Sequence, residues 1–340
     1  MKTRLREILF QLKLHVRIIG LFLCALALTF LVLGAAFVML AVFQPQHMQS
    51  SEPLDSMPLP SHSDRIMLVV AHPDDEFLSS AGYMMYAKQH GAQVMVVIVT
   101  SGEASLIADT ISQRRIRLPV RYYIQEGEHR EIESLQALHT LGLQNSDIFF
   151  LGFPTRGLEY LLLKNWSVND PYRSHYTKVT IPPFDSVFDQ TSNYSGEKLT
   201  QDLQRLFEIQ NPTIVITHSS YDQNDDHRAV YYLVNKALQQ AQAKLPAFLP
   251  EQFYFLVHYY QYSFPARANY QYKLLPPLRI DSNSFHWFSF PLTSDEFLFK
   301  KQGIMLYKSQ FANPYLKLLL NSFVKQNELF YQEPHISRGQ

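Results

Sequence analysis

The chain has 340 residues, of which 46% are hydrophobic and 18% are charged, and this is enough for one large domain or two small ones. Its formal net charge is zero and it has no basic patch interleaved with aromatic residues, which excludes a strongly basic nucleic-acid-binding protein. The single cysteine, Cys24, cannot form a disulfide framework or a cysteine metal site. Any metal must therefore be held by histidines and carboxylates.

The N-terminal residues have the pattern of a membrane anchor. No charged residue occurs from Ile18 to Phe43, and these 26 residues, at ~1.5 Å each, can cross the ~30 Å hydrocarbon core of a bilayer. The alternative, a buried core helix, rarely runs this long without polar residues. Basic residues precede the stretch and none follows it before Arg65. The positive-inside rule thus predicts a cytoplasmic tail (1–17), a transmembrane helix (18–43) and an extracytoplasmic remainder.

Beyond the anchor, the chain is predicted to form a linker and one α/β domain. Residues 44–64 are rich in Pro, Ser and Gln, which predicts a linker without a core of its own. From 65 to 333, alternating patterns predict a Rossmann-like α/β fold with a mostly parallel sheet and helices on both faces. The predicted strands are 65–71, 92–100, 147–153, 212–218 and 252–259, and the predicted helices are 78–90, 126–142, 196–210 and 226–244.

An acidic cluster, AHPDDE (71–76), follows the first predicted strand. Ligands of open α/β sheets bind beyond the carboxyl ends of strands, and this segment lacks the glycine-rich turn that a dinucleotide needs. A helix dipole would stabilise the acids by at most ~1 kcal/mol, which does not explain a histidine and two aspartates on a rigid proline turn. A divalent cation such as Zn²⁺ is the better counter-charge. The alternative is a capped helix start with an incidental histidine.

Two motifs together resemble a known family. AHPDDE, followed about 150 residues later by DQNDDHRAV (222–230), resembles the PIG-L/LmbE-like family of metal-dependent de-N-acetylases. Supporting features are TSGEAS (100–105), FLGFP (150–154) and the pair Arg130 and Glu133. The resemblance covers roughly Arg65 to Ala243.

The resemblance implies roles for individual residues. The metal, zinc or another divalent first-row ion, would be held by His72, Asp75 and His227. Asp74 would be the general base that takes a proton from the attacking water. Asp226 and Glu76 are predicted to support the metal ligands, Asp226 by fixing the ring of its neighbour His227.

One position of the second motif departs from the family. Relatives carry a histidine there that supports the oxyanion and can protonate the leaving amine, and this chain has Asn224. An amide can donate a hydrogen bond to an oxyanion but cannot deliver a proton. Either Asp74 carries the proton to the amine or another group does, and the candidate is His258, at the end of the last predicted strand. The alternative for His258 is a histidine whose partners are structural.

Three further residues are predicted to contact substrate: Glu103, Arg130 and Arg156. Thr155 and Arg156 follow the GFP segment where relatives often carry an acid. That change puts the usual contact to a sugar hydroxyl in doubt and favours a different or an acidic substrate.

Together with the N-terminal anchor, the resemblance implies a membrane-anchored, zinc-dependent hydrolase that removes acetyl groups from N-acetylglucosamine-type amino sugars of glycans, glycolipids or glycoconjugates. One alternative is a metal-containing carbohydrate-binding module that lost catalysis together with the histidine that Asn224 replaces. Another is an amidase that acts on a different amide. The predicted partners are the sugar substrate and, through the anchor, membrane lipid. The sequence leaves the sugar, the acyl group and the oligomeric state open.

Overall fold

The computed structural model describes residues 2–43, 54–104, 118–259, 262–277, 280 and 285–334. A single helix, α1, spans Lys2–Phe43, so it includes the basic segment that the sequence predicts as a separate tail. Within α1, Gln11–Met39 is long and apolar enough to cross a membrane, and its most apolar part is not buried in the protein. The predicted span, 18–43, lies inside this helix.

From β2 to β6 each pair of successive strands is separated by at least one helix. The strands are β1 (Asp55–Ser56), β2 (Arg65–Val70), β3 (Gln93–Thr100), β4 (Ile148–Phe153), β5 (Ile214–His218), β6 (Glu251–Phe255), β7 (His286–Pro291) and β8 (Asn327–Gln332). The helices are α2 (Asp75–Gln89), α3 (Val120–Thr140), α4 (Leu158–Leu163), α5 (Gly196–Gln210), α6 (Asp225–Lys244), α7 (Ser294–Ile304), α8 (Lys308–Phe311) and α9 (Pro314–Ser322). Every strand and helix predicted from 65 onward is present; the helix over 196–210 has the predicted bounds, and the others have shifted ends.

The strands form one sheet in the order β1-β7-β8-β6-β5-β2-β3-β4. All neighbours from β6 through β5, β2 and β3 to β4 are parallel, whereas β8 runs antiparallel to both β6 and β7. The sheet is therefore mostly parallel, which confirms the predicted α/β class.

Helices cover both faces of the sheet, as β2 illustrates. Ile66 and Leu68 belong to one buried cluster, whereas Met67 and Val69 belong to another. Successive residues of a strand point to opposite faces, so an unbroken apolar strand requires cover on both sides. Residues of α2 and the C-terminal helices pack in the first cluster, and residues of α5 and α6 pack in the second.

The segment before β2 differs from the prediction. Asp55 and Ser56 pair with β7 in parallel, and Met57 is only 1% exposed. Residues 54–57 thus belong to the domain, and the prediction of a linker without a core up to residue 64 is wrong for them. Backbone pairing with an edge strand and one buried side chain hold this short segment, and neither leaves a periodic pattern in the sequence.

The parallel strands β2, β3, β4, β5 and β6 end at the same edge of the sheet. The acidic segment after β2 and the acidic segment after β5 are therefore neighbours in space, because β2 and β5 are paired directly. The candidate site lies at this edge.

Candidate active site

A tight turn around Asp74 joins β2 to α2. Asp74 has a φ of 117°, which L-residues rarely adopt, and it lies immediately before α2. Two carboxylates hold the turn: Asp75 Oδ2 accepts from the backbone N–H of His72 at 2.9 Å, and Glu76 Oε2 accepts from that of Asp74 at 2.9 Å. Part of the acidic cluster thus serves to fix a strained backbone beside the site.

The three predicted metal ligands, the ligand trio His72, Asp75 and His227, converge on one point. His72 Nδ1 lies 3.1 Å from His227 Nε2 and 3.3 Å from Asp75 Oδ2. His227 Nε2 lies 3.2 Å from Asp75 Oδ2. Ligands about 2.1 Å from a tetrahedral zinc ion are ~3.4 Å apart, so the donor types and their separations fit an open three-ligand zinc site.

Each histidine of the ligand trio has a carboxylate at its other ring nitrogen. His72 Nε2 lies 3.2 Å from Asp226 Oδ2, and His227 Nδ1 lies 3.1 Å from Asp222 Oδ2. A proton held on these outer nitrogens leaves the inner nitrogens with lone pairs that face the shared point. The carboxylates therefore select the tautomer that can coordinate a metal.

Asp226 contacts His72 rather than the ring of His227, which differs from the prediction. Successive residues of a helix point about 100° apart, so Asp226 and His227 at the start of α6 face different neighbours. Asp222 takes the predicted role, and it also accepts from the backbone N–H groups of Val257 and His258. The sequence places Asp222 in the acidic segment after β5 but assigns it no role, because nothing local distinguishes it from its acidic neighbours.

His218, at the end of β5, supports the ligand trio without joining it. Its Nε2 accepts from the backbone N–H of Ala71 at 2.9 Å, and its ring stacks on His227 with centroids 3.8 Å apart. Burial and the charge of His227 lower the pKa of His218 to about 4. His218, Asp222 and His227 form a second compact group whose donor atoms could hold a metal ion.

The buried carboxylates around His227 favour a positive charge at the ligand trio. Burial disfavours a charge on His227, yet Asp75 and Asp222 outweigh it and raise the pKa of His227 to about 10. Burial likewise opposes ionisation of Asp75, but His227 and His218 hold the pKa of Asp75 well below its usual range. A proton satisfies this site, and so would a divalent metal ion.

Arg130, from α3, anchors the Asp74 turn. Its guanidinium donates to the carbonyl oxygens of Pro73 at 2.5 Å and Gly102 at 3.0 Å, and to Asp74 Oδ2 at 3.2 Å. A Cβ atom at residue 102 would lie 2.1 Å from Arg130 Nη1, so only glycine admits this guanidinium. Arg130 also lines the cavity that lies beside the ligand trio, called the main cavity below, as a predicted substrate contact should. These guanidinium N–H groups, however, are engaged in holding the turn.

The carboxyl of Asp74 has an altered acidity. Burial raises its pKa to about 7, with Arg130 opposing the shift and Asp75 and Glu76 adding to it. A carboxyl with a pKa near neutrality can both accept and release a proton at physiological pH. This property suits the predicted general base.

Glu76 supports the turn from the interior. It is fully buried, and its Oε1 accepts from Ser134 Oγ at 2.6 Å and from Tyr307 Oη at 2.7 Å. Tyr307 lies between α7 and α8, so the C-terminal part of the chain braces the turn that carries Asp74. No motif indicated Tyr307, because its link to Glu76 joins residues 231 positions apart.

Asn224 and His258 lie at the main cavity. Asn224 caps α6, and its Oδ1 accepts from the backbone N–H groups of Asp226 at 2.9 Å and His227 at 3.4 Å. His258 lies three residues beyond β6 rather than in the strand, and its ring centroid is 5.1 Å from that of His227. Burial and the charge of His227 lower the pKa of His258 to about 4, so the ring is neutral at pH 7.

Glu103 does not line the main cavity, so the prediction that it contacts substrate is not supported. It is 1% exposed, and its two oxygens accept from Thr155 N–H at 2.9 Å and Thr155 Oγ1 at 2.5 Å. The carboxylate is occupied in holding the β4–α4 loop. Arg156, next in that loop, does line the cavity, and its backbone N–H donates to Asp226 Oδ2 at 2.5 Å.

The main cavity has a volume of about 640 Å³ and lies over the ligand trio. One side carries the ionisable side chains of the two acidic segments. The lining also includes apolar side chains, those of Leu78 and the α9 residues Leu316, Leu319 and Leu320. The arrangement resembles an enzyme pocket, with a few convergent polar groups beside apolar surface.

Comparison with known proteins identifies the family of the chain. The family model PIG-L, described as GlcNAc-PI de-N-acetylase, matches residues 67–238. A 1D-myo-inositol 2-acetamido-2-deoxy-alpha-D-glucopyranoside deacetylase of Mycobacterium leprae is 39% identical over 83 residues, which are 24% of this chain and 26% of the relative. The deacetylase of the same description from Mycolicibacterium smegmatis is 34% identical over 105 residues, 28% of this chain and 35% of the relative.

The chain thus spans about a quarter to a third of the length of the curated relatives it matches. Among solved structures, the N,N'-diacetylchitobiose deacetylase from Pyrococcus horikoshii is 16% identical, with a TM-score of 0.46 over 88% of this chain and 92% of that one. The family match extends from β2 into α6 and includes both acidic segments and the whole ligand trio. The chain therefore belongs to the PIG-L family of GlcNAc-PI de-N-acetylases.

Proposed function

We propose that this protein is a metal-dependent deacetylase that removes the N-acetyl group from N-acetylglucosamine-type amino sugars. The observation that carries the proposal is the convergence of the ligand trio within 3.3 Å, beside a carboxyl of raised pKa, at the floor of one cavity. Membership of the PIG-L family and the deacetylase activity of the mycobacterial relatives support the same chemistry.

The ligand trio, Asp74 and Arg130 have separate roles in the proposed reaction. A divalent metal, zinc or a similar first-row ion, held by His72, Asp75 and His227 would lower the pKa of a water molecule and polarise the amide carbonyl. Asp74 takes a proton from this water molecule while the water oxygen attacks the carbonyl carbon. Arg130 keeps the Asp74 carboxylate in place while it does so.

Asp74 is also the group that we assign to protonate the leaving amine. Its pKa of about 7 lets it hold the proton taken from water and release it to nitrogen as the C–N bond breaks, giving acetate and the free amine. His258, with a pKa of about 4, is a poor proton donor at neutral pH. Its neutral ring can still donate an N–H to the oxyanion, and the amide of Asn224 is a second candidate donor.

Two substitutions of His258 separate these roles. His258→Ala is expected to lower kcat by roughly 10²-fold, the usual cost of losing an oxyanion donor. His258→Gln keeps a neutral N–H donor and is expected to recover much of that loss, with metal content unchanged in both variants. Equal inactivity of the two variants in steady-state assays would instead identify His258 as a proton donor.

The function itself is tested by amine release. The purified full-length chain, loaded with zinc or another divalent ion, is expected to release free amine and acetate from N-acetylglucosamine conjugates. Binding of metal and sugar without release under any metal would favour the carbohydrate-binding module. Release from other amides but not from amino sugars would favour the alternative amidase.

We further propose that α1 anchors the enzyme in a membrane, with the N-terminus in the cytoplasm and the catalytic domain, from residue 54 to 333, on the other side. The length and apolarity of Gln11–Met39 support a span, and the basic residues before it support the orientation. A C-terminal reporter that is active only in the cytoplasm should be inactive when fused to the chain. An active reporter would reverse the orientation.

A further inference from the structure

A second cavity of about 670 Å³ opens beside the main cavity. The two cavities share Arg156, Tyr160 and Tyr176 as a common wall. The loop after α4 forms the rest of the lining, through Tyr172, Arg173, Ser174, His175 and Lys178. A molecule bound over the ligand trio can therefore extend past the common wall into the second cavity.

The sign of the charge reverses from one cavity to the other. The lining of the main cavity includes two arginines and five carboxylates, those of Asp74, Asp75, Glu159, Asp225 and Asp226. The described residues that line the second cavity include three cationic side chains and no carboxylate; the cations are Arg156, Arg173 and Lys178. Three cations with no carboxylate among the described lining residues attract an anionic group to the second cavity.

The loop that carries two of these cations is closed by its own hydrogen bonds. Ser174 Oγ accepts from the backbone N–H groups of Tyr176 at 3.3 Å and Thr177 at 3.2 Å. Arg173 Nε donates to the carbonyl oxygen of Lys178 at 2.8 Å, and Lys178 turns the chain with a φ of 62°. Arg173 and Lys178 are therefore held at the two ends of one turn, which reduces the entropy lost when a ligand binds between them.

The backbone of Arg156, the third cationic residue, is also held in place. Arg156 has a φ of 60°, and its backbone N–H is held by Asp226, the carboxylate that orients His72. The common wall is therefore tied directly to the ligand trio. Next to it, the rings of Tyr160 and Tyr172 stack with centroids 5.2 Å apart, which gives the cavity a firm aromatic side with polar tips.

We propose that the second cavity is an anion subsite, which binds a phosphate or carboxylate carried by the amino-sugar substrate. The acidic main cavity and the basic second cavity then orient the substrate, with the N-acetyl group over the ligand trio and the anion on Arg173 and Lys178. This inference rests on the proposed deacetylase function and adds the chemical class of the substrate.

Three probes and one charge-removal variant test the anion subsite. The probes are neutral methyl N-acetylglucosaminide, N-acetylglucosamine 1-phosphate and N-acetylmuramic acid, which carries a carboxylate. Titration calorimetry with the full-length protein is expected to give at least one anionic probe roughly tenfold tighter binding than the neutral probe. Arg173→Gln/Lys178→Gln is expected to remove most of this preference, and added salt is expected to weaken it in the wild type.

Two matched variants control for charge and for loop structure. Lys301→Gln removes an exposed lysine of α7 and should leave the preference unchanged. Arg173→Lys/Lys178→Arg keeps both charges and should preserve the preference even if the loop hydrogen bond is altered. Preference for the phosphate probe alone, or for the carboxylate probe alone, supports the subsite and identifies the source of the anion.

Equal affinity for all three probes in the wild type, or a preference unchanged in Arg173→Gln/Lys178→Gln, would overturn the anion subsite. Amine release measured on the same probes separates this failure from that of the proposed function. Release without preference would overturn the subsite and leave the deacetylase in place. Anion preference without release from any probe would support the subsite and overturn the deacetylase.

Discussion

Asp74→Asn is expected to lower kcat for amine release by roughly 10²- to 10⁴-fold, the range that general acid–base groups contribute. The amide cannot take a proton from water and has none to return to the leaving nitrogen. The side chain keeps its shape, and the ligand trio is untouched, so metal content and thermal stability should match the wild type. Steady-state assays together with mass-spectrometric metal analysis measure both quantities.

Asp225→Asn is the matched control, because Asp225 also lines the main cavity but forms an ion pair with Arg228 at the start of α6. It should retain most of the wild-type rate. An Asp74→Asn variant within about threefold of the wild type would remove Asp74 from proton transfer. Parallel loss of metal in that variant would instead place Asp74 among the ligands.

His72→Ala is expected to abolish stoichiometric metal binding and, with it, amine release. The substitution removes one of three donors, and a divalent ion held by two protein ligands exchanges readily with solvent. His72 is partly exposed at the cavity, so loss of its ring removes little core packing. Metal analysis after dialysis against a buffered free-zinc solution measures the effect, and circular dichroism checks the fold.

Variants of the two orienting carboxylates should behave differently from the ligand variant. Asp222→Asn and Asp226→Asn are each expected to weaken metal affinity by about 10- to 100-fold without abolishing it. Without the carboxylate, the ligand histidine is no longer held in the tautomer that can coordinate a metal. His258→Ala, which removes a cavity histidine outside the ligand trio, should keep full metal content. Full metal content in His72→Ala would contradict the assigned ligand set.

Local patterns explain why most of the sheet could be predicted. The apolar runs of β2 and β3 and the helical periods of α5 and α6 each lie within a single short segment, where burial imposes a detectable spacing. β7 and β8 carry mixed patterns and owe their places to pairing with each other and with β6. Their sequences, HWFSFP and NELFYQ, show neither an unbroken aliphatic run nor a clean alternation, and these strands were not predicted.

By itself, the sequence determined the α/β class, the apolar N-terminal helix and the location of the site, because strand ends and residue types are local properties. It also predicted that His72, Asp75 and His227 lie close together, and the structure brings them together. Only the tertiary structure decided which carboxylate orients which histidine, that Glu103 is occupied by Thr155, and that Tyr307 braces the Asp74 turn. The physical reason is that side-chain direction depends on backbone angles and long-range packing, which the spacing of residues along the chain does not encode.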